Sequence, residues 1–300
     1  PHAIASAIVT DADYEQRSDI SVTQLIQPPR IFQLRNRHKD QIVTDVSDRV
    51  WALMGQALHL AIERGDDENA MHEERIEIVC NGWTVSGRTD SYVEKEPFTD
   101  PETGQIQWRS IPPTLRDYKL LKVMAAKFSH PEWEQQLNML AYLWRTSGFN
   151  IEKLENVLVF RDWSPSMYDL EVNVRHRFYP PPVQTVPAKM WQPERAKLVF
   201  ETRLGYHKAS RNLSDEMLPF CTPEEQWRRD PKWAVMKPDR NSAVKLFPSR
   251  KAAELFCEQN PKVDLYLEFR PAKAVRCQSY CDVAPFCNQY AMESQRESTA

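Results

Sequence analysis

The dipeptide Asn81-Gly82 constrains this chain more tightly than any other pair of residues. Both residue types tolerate positive φ, which a two-residue turn between antiparallel strands requires. Before it, Glu74 to Val79 alternates charged and apolar side chains. After it, Trp83-Thr84-Val85-Ser86-Gly87-Arg88-Thr89-Asp90 reads as the return strand. A β-hairpin is therefore predicted, with Asp90 closing its second strand. Gly87 inside that strand predicts a bulge or the close approach of another group.

The segments around the hairpin alternate between the two periodicities. Ser21 is a predicted N-cap for a short helix that stops at Pro28-Pro29. From about Ser47 to Arg64, Val50, Leu53, Met54, Ala57, Leu58, Ala61 and Ile62 recur at helical spacing. His59 lies beside that stripe, one turn after Gly55. Beyond the hairpin, Asp100 to Gly104 reads as a turn, Trp108 to Ile111 as a short strand and Leu115 to Leu121 as another. Pro131 opens a helix that passes through Gln136 and Tyr142 and ends at Gly148. Leu154 to Phe160 is a predicted strand, and Val172 to Phe178 alternates weakly. Pro180-Pro181-Pro182 reads as an extended connector, and Pro193 to about His207 as a helix. This order predicts an α/β fold with one central sheet.

Composition removes several function classes. The chain has 300 residues, 41% hydrophobic and 27% charged, which predicts a globular protein of one large domain or two small ones. No apolar run approaches the ~20 residues of a membrane span, and Pro1-His2-Ala3-Ile4 has no secretion-signal pattern, so a cytoplasmic setting without membrane contact is expected. The net charge of -3 does not predict a charge-driven polyanion binder, although local basic clusters occur. With only 7 glycines, the chain carries neither a Gly-x-x-x-x-Gly-Lys-Ser/Thr loop nor a Gly-x-Gly-x-x-Gly loop, which argues against nucleotide-driven motors and dinucleotide enzymes. The Gly-x-Ser-x-Gly elbow is absent too.

The chemistry gathers around Arg116-Asp117-Tyr118-Lys119. On a strand, Asp117 and Lys119 project from one face and Tyr118 from the other. A carboxylate beside an ammonium suits work on phosphate, one holding a hard cation and the other positioning water or offsetting charge. Singly, each element has an ordinary explanation: His59 as a core-edge histidine, Asp90 as a turn carboxylate, Asp117 and Lys119 as solvated charges. Together, His59 on a helix, Asp90 at a strand end, Asp117 and Lys119 on the next strand and Gln136 on the next helix form an ordered set.

That order, Gly-x-x-x-His, Gly-Arg-Thr-Asp, Asp-Tyr-Lys and Gln-Leu-Asn, resembles the RecB exonuclease family of PD-(D/E)XK nucleases. This group includes the nuclease domains of RecB and AddB and the CRISPR adaptation nucleases. The resemblance spans roughly residues 20 to 165. It implies a restriction-endonuclease-like α/β core with a central mixed sheet flanked by helices, over residues 19–210. A flexible arm, 1–18, would precede it, and a cysteine-rich metal-binding region, 211–300, would pack on it. It further implies that His59, Asp90 and Asp117 hold Mg2+ or Mn2+, that Tyr118 adds its backbone carbonyl, that Lys119 is the catalytic lysine and that Gln136 contacts the site. The family usually places a tyrosine one turn after the glutamine. Here that place is Leu140, and Tyr142 follows two residues on. Glu74 stands where many members carry an acidic residue before the Gly-x-x-Asp strand.

Six cysteines are present, three of them as Cys277-x3-Cys281-x5-Cys287. In a reducing compartment such clustering reads as metal ligation. Three thiolates need a fourth, and Cys221, at the start of Cys221-Thr222-Pro223-Glu224, is the candidate. Cys80 and Cys257 read as buried thiols. Spacing alone leaves zinc and iron-sulfur both open. The AddB and CRISPR branches carry a 4Fe-4S cluster that pins the C-terminus. Their first cysteine precedes the core, near the segment that here reads Gln27-Pro28-Pro29, where this chain has none. Between 225 and 270, aromatics interleave with cations, a pattern that reads first as core aromatics among surface charges and second as a surface for single-stranded DNA.

The resemblance implies a Mg/Mn-dependent deoxyribonuclease, an exonuclease or end-processing enzyme of recombination, replication or repair. DNA would be its substrate, recombination or replication proteins its partners, and an oligomer is compatible. The compact form fits a phage or mobile-element genome. The alternative is a non-catalytic DNA-binding module with a cysteine-held metal clamp.

Overall fold

The computed structural model describes residues 18–43, 45–65 and 70–298. The arm expected over 1–18 lies outside the described residues except for Ser18, which is buried and hydrogen-bonds through its hydroxyl to that of Ser86 at 2.8 Å. The chain forms two compact units. One runs up to Gln27 and resumes from Thr44 to Lys208; the other combines Pro28–Val43 with the chain from Ala209 onward. At the C-terminal side the division falls between Lys208 and Ala209. The segment Pro28–Val43, expected in the first unit, belongs to the second, because a helical pattern fixes a helix and not its neighbours.

The strands of the first unit are β1 (Ile20–Ser21), β2 (Ala70–His72), β3 (Arg75–Cys80), β4 (Trp83–Arg88), β5 (Ser91–Thr99), β6 (Ile106–Leu121), β7 (Lys153–Phe160) and β8 (Val183–Pro187). They form two sheets, β1-β4-β3 and β2-β5-β6-β7-β8. The predicted hairpin is present. Asn81 and Gly82 have φ of 50° and 76°, and Cys80 pairs with Trp83. Gly87 makes a close approach and not a bulge: it pairs in register with Ile76, and a Cβ there would lie 2.7 Å from Leu140 Cδ2.

The two strands expected at Trp108–Ile111 and Leu115–Leu121 are one strand, β6. Its register against β5 slips between Val93 and Lys95, where Thr114 and Ser110 are the partners. Pro112 and Pro113 fall in that gap, where their missing N–H groups break no ladder bond. β6 and β7 are parallel and joined by the crossover helix Pro131–Thr146. That helix buries Leu137, Met139, Leu140, Leu143 and Trp144, and packs against both sheets. It starts with Pro131, whose absent N–H would have no intrahelical partner anyway.

The helix Pro193–Ser210 buries Ala196, Phe200, Leu204 and His207, one stripe at helical spacing. Arg203 donates to the carbonyls of Leu25, Ile26 and Gln27, satisfying the last turn of the short helix Val22–Leu25. That helix starts at Ser21 with a reciprocal Ser21–Gln24 capping box.

The helix Val46–Glu63 forms, capped by Asp45, but none of its described side chains is buried. Of its apolar stripe, Met54, Ala57 and Ala61 are exposed. Where Val172–Phe178 alternates weakly, Asp169–Val174 is a wide helical turn, and β8 forms one edge of the larger sheet. Among the described residues no helix is long and apolar enough to cross a membrane.

The second unit is organised around the helix Pro29–Arg37 and the late cysteines. Ile31, Leu34, Leu218 and Val283 form its buried cluster, with Cys221, Cys281, Phe286 and Cys287 packed against it. Arg35 grips Asp282 through two donors at 2.8 and 2.7 Å, and His38 stacks on Phe286. The strands are β9 (Arg228–Arg229), β10 (Lys232–Met236), β11 (Lys245–Phe247), β12 (Tyr266–Arg270) and β13 (Lys273–Ala274). They pair as β11-β10-β12 and β13-β9, and the helix Arg250–Glu258 covers the three-stranded sheet. Among the aromatics of this stretch, Trp233 packs against Phe269 and Phe247 against Phe256, as core aromatics do.

Candidate active site and thiol centre

The hairpin ribbon changes sheets at a single level. β2 and β5 belong to the larger sheet, β3 and β4 to the smaller, and the switch occurs at Glu73-Glu74 on one side and Thr89-Asp90 on the other. The N–H of Glu73 donates to the carbonyl of Asp90 at 3.3 Å, and the N–H of Thr89 to that of Glu74 at 3.0 Å. Glu73 has φ of 53°, the left-handed region in which a glutamate is uncommon. The backbone reversal turns its carboxylate toward His59 and leaves Glu74 exposed.

His59, Glu73 and Asp90 converge. His59 Nδ1 lies 2.9 Å from Glu73 Oε1 and 3.5 Å from Asp90 Oδ1. One ligand atom from each of the three lies within 4.8 Å of the others, close enough to share one cation. Arg88 Nε donates to the second oxygen of Glu73 at 3.0 Å. The N–H of Tyr118 donates to Asp90 Oδ2 at 2.7 Å, so the β6 backbone fixes that carboxylate. Burial, and then the neighbouring Asp117 carboxylate, push the Asp90 pKa up to about 7. Two acids crowded into a low-dielectric site behave this way, and His59 and Lys119 offset the shift only in part.

On β6, Asp117 and Lys119 share a face as the alternation predicts. Lys119 Nζ lies 2.6 Å from Asp117 Oδ2. Gln136, from the crossover helix, donates to Asp117 Oδ1 at 3.0 Å and accepts from Lys119 Nζ at 3.2 Å. The three side chains close a ring in which each is held by the other two. Asp117 is buried and Lys119 half-buried, so the lysine's tip stays within reach of a ligand.

Of the residues named from sequence, His59, Asp90, Asp117, Lys119 and Gln136 come together. Tyr118 contributes an N–H. Glu74 does not join: it is one residue out of register, and Glu73 takes the place expected for it. Tyr142 does not join either. It packs against Phe200 with the rings tilted at 42° and their centres 4.8 Å apart, away from Gln136 on the helix surface, and its hydroxyl pKa is raised by burial and then by Cys80.

In the second unit, Cys221, Cys277, Cys281 and Cys287 line one pocket. Cys80 lies on β3 and Cys257 on the helix Arg250–Glu258, and neither lines it. Burial raises the Cys221 thiol to about 12 and Cys277 to about 11, with nearby acidic groups and the neighbouring thiols adding to the shift. Gln289 holds Cys221 by a reciprocal pair of bonds to its N–H and carbonyl, 2.8 and 2.9 Å. Arg30 is buried against this pocket. Its donors reach the carbonyls of Leu218 and Pro219 and the side-chain oxygen of Asn288, and Nη1 lies 3.9 Å from Cys287 Sγ. No carboxylate is among these partners, and a buried cation needs compensating charge. Thiolates would provide it, and four of them with one adjacent guanidinium suit a metal centre.

No family model matches the chain, and no curated protein matches it. Among solved structures, it is similar to one described as "Crystal structure of SSO0001", at 15% identity over 68% of this chain and 84% of that one, with a TM-score of 0.44.

Proposed function

We propose that this chain is a metal-dependent deoxyribonuclease of the PD-(D/E)XK type, related to the RecB exonucleases and acting on DNA ends or single strands in recombination, replication or repair. One observation carries the reading: the His59–Glu73–Asp90 cluster meets the Asp117–Lys119–Gln136 ring at the junction of β4, β5 and β6. His59, Glu73, Asp90 and Asp117 would hold Mg2+ or Mn2+, which when bound supplies a Lewis acid at the scissile phosphate. Lys119 places its ammonium beside the phosphate, offsetting charge that grows as water adds and the P–O bond breaks. Gln136 holds Lys119 and Asp117 in register. Tyr118 N–H and Arg88 hold Asp90 and Glu73 in orientation.

Cys221, Cys277, Cys281 and Cys287 would hold a 4Fe-4S cluster or a zinc ion. Its role would be structural, tying the last helices of the second unit to the helix Pro29–Arg37.

The test is digestion of end-labelled single- and double-stranded DNA with Mg2+ or Mn2+, wild type beside Lys119→Ala and Asp117→Ala. Cleavage by wild type, lost in both variants with their fold intact, supports the reading. Wild type that binds DNA and leaves every end type uncut with either metal overturns it in favour of a binding module.

A further inference from the structure

The helix Val46–Glu63 carries a feature that the cleavage chemistry does not use. Trp51, Gly55 and His59 recur every four residues and so share one helical face. Trp51 is 53% exposed. A Cβ added at Gly55 would meet nothing within 4 Å, so the surface between Trp51 and His59 is open. At ~1.5 Å per residue, the indole lies about 12 Å along the helix from the histidine.

Arg161, directly after β7, stacks under this indole. Its guanidinium carbon lies 3.4 Å from the ring centre. Its main-chain N–H donates to the carbonyl of Leu121, which ties it to the end of the strand bearing Asp117 and Lys119. The Arg161 Nε is buried and has no hydrogen-bond partner among the described residues. A cation thus lies against one face of an indole that is about half exposed.

We propose that Trp51 and Arg161 form a nucleotide-binding subsite for single-stranded DNA, with a base stacked on the outer face of Trp51. The inference rests on the nuclease reading for its direction, since the strand would run from Trp51 past Gly55 to the phosphate at His59. Arg161 polarises and fixes the ring from below and adds positive charge for the backbone. At ~3.4 Å per stacked nucleotide, the subsite sits about three to four nucleotides from the scissile phosphate. Gly55 then keeps the path between them clear.

The experiment measures binding without cleavage. A fluorescent oligothymidylate of about twelve nucleotides, within the usual site size for such grooves, is titrated in EDTA with wild type, Trp51→Ala, Trp51→Phe and Arg161→Ala. Base–aromatic stacking predicts a loss of about 5- to 150-fold for Trp51→Ala. Trp51→Phe keeps most of the affinity, because it keeps a ring. Arg161→Ala weakens binding and flattens its salt dependence. Thermal melting of each variant separates lost contact from lost fold. Equal affinity for wild type and a folded Trp51→Ala overturns the subsite. So does equal loss in Trp51→Phe and Trp51→Ala, or tighter Trp51-dependent binding of the matching RNA. Because no cutting is required, a protein that binds through Trp51 and never cleaves rejects the nuclease reading and keeps the subsite.

Discussion

The main-chain N–H of Glu73 donates to the carbonyl of Asp90 at 3.3 Å, making the two acids cross-strand partners at the point where their strands pass from one sheet to the other. Their carboxylates flank the same ring nitrogen of His59, at 2.9 and 3.5 Å. The site is therefore built by the kink in the ribbon as much as by the side chains.

Glu73→Gln should weaken Mn2+ binding at least tenfold, an order of magnitude set by the loss of one charged ligand. Glu74→Gln, on an exposed side chain one position away, should leave it unchanged. Isothermal titration with Mn2+ on both variants decides; equal effects would falsify the assignment of Glu73.

Asp90 gives the metal-free protein a specific pH response. Its folded pKa of about 7 lies above the unfolded carboxylate value, because burial and Asp117 disfavour the anion. Between about pH 4 and 7 the folded state therefore holds more protons than the unfolded one. Stability in EDTA should rise as pH falls through this window, by at most about 1.4 kcal/mol per unit. Asp90→Asn should abolish that slope. Metal binding should show the opposite trend, weakening as pH drops below 7, because a proton competes for the same oxygen. Guanidinium unfolding at several pH values tests the first claim, and a Mn2+ titration series tests the second.

The thiol pocket predicts a sharp division among the cysteines. Serine at Cys221, Cys277, Cys281 or Cys287 should remove the bound metal and lower the melting temperature. Serine at Cys80 or Cys257 should leave the metal content at the wild-type level. Elemental analysis with visible absorption spectra distinguishes iron-sulfur from zinc. Full metal content in Cys221→Ser would remove that residue from the ligand set.

Gly87→Ala should destabilise the first unit by about 1–3 kcal/mol, the usual cost of overpacking. The new methyl would lie 2.7 Å from Leu140 Cδ2 and 3.0 Å from Leu143 Cδ2, both on buried side chains of the crossover helix. Gly55→Ala, in open space on an exposed helix, should be neutral or slightly stabilising. Paired denaturant midpoints measure the contrast, and equal midpoints for the two variants would contradict the close-packing account.

Much of this protein follows from local pattern. Asn81-Gly82 set the hairpin because those residues reach positive φ cheaply, and the alternation about Asp117 set the face it shares with Lys119. The two-residue turn also carried a signal that goes beyond the strands. Stepping outward from Cys80 and Trp83 pairs Asp90 with Glu73, not Glu74, so the extra carboxylate was legible by register. Family spacing pointed one residue away from it.

Other features were decided only in three dimensions. Helical periodicity gave the stripe on Val46–Glu63, yet that helix buries none of its described side chains, since amphipathicity reports a preference and not a partner. The helix Pro29–Arg37 belongs with cysteines some 250 positions later, because buried charge and packing are settled between segments distant in sequence. Gln136 could be placed on a helix from its neighbours. Its bonds to both Asp117 and Lys119 depend on how the crossover returns over the sheet. Local conformational preference is encoded within a few residues. The distances that make carboxylates, imidazole and ammonium into one site arise only when those segments pack.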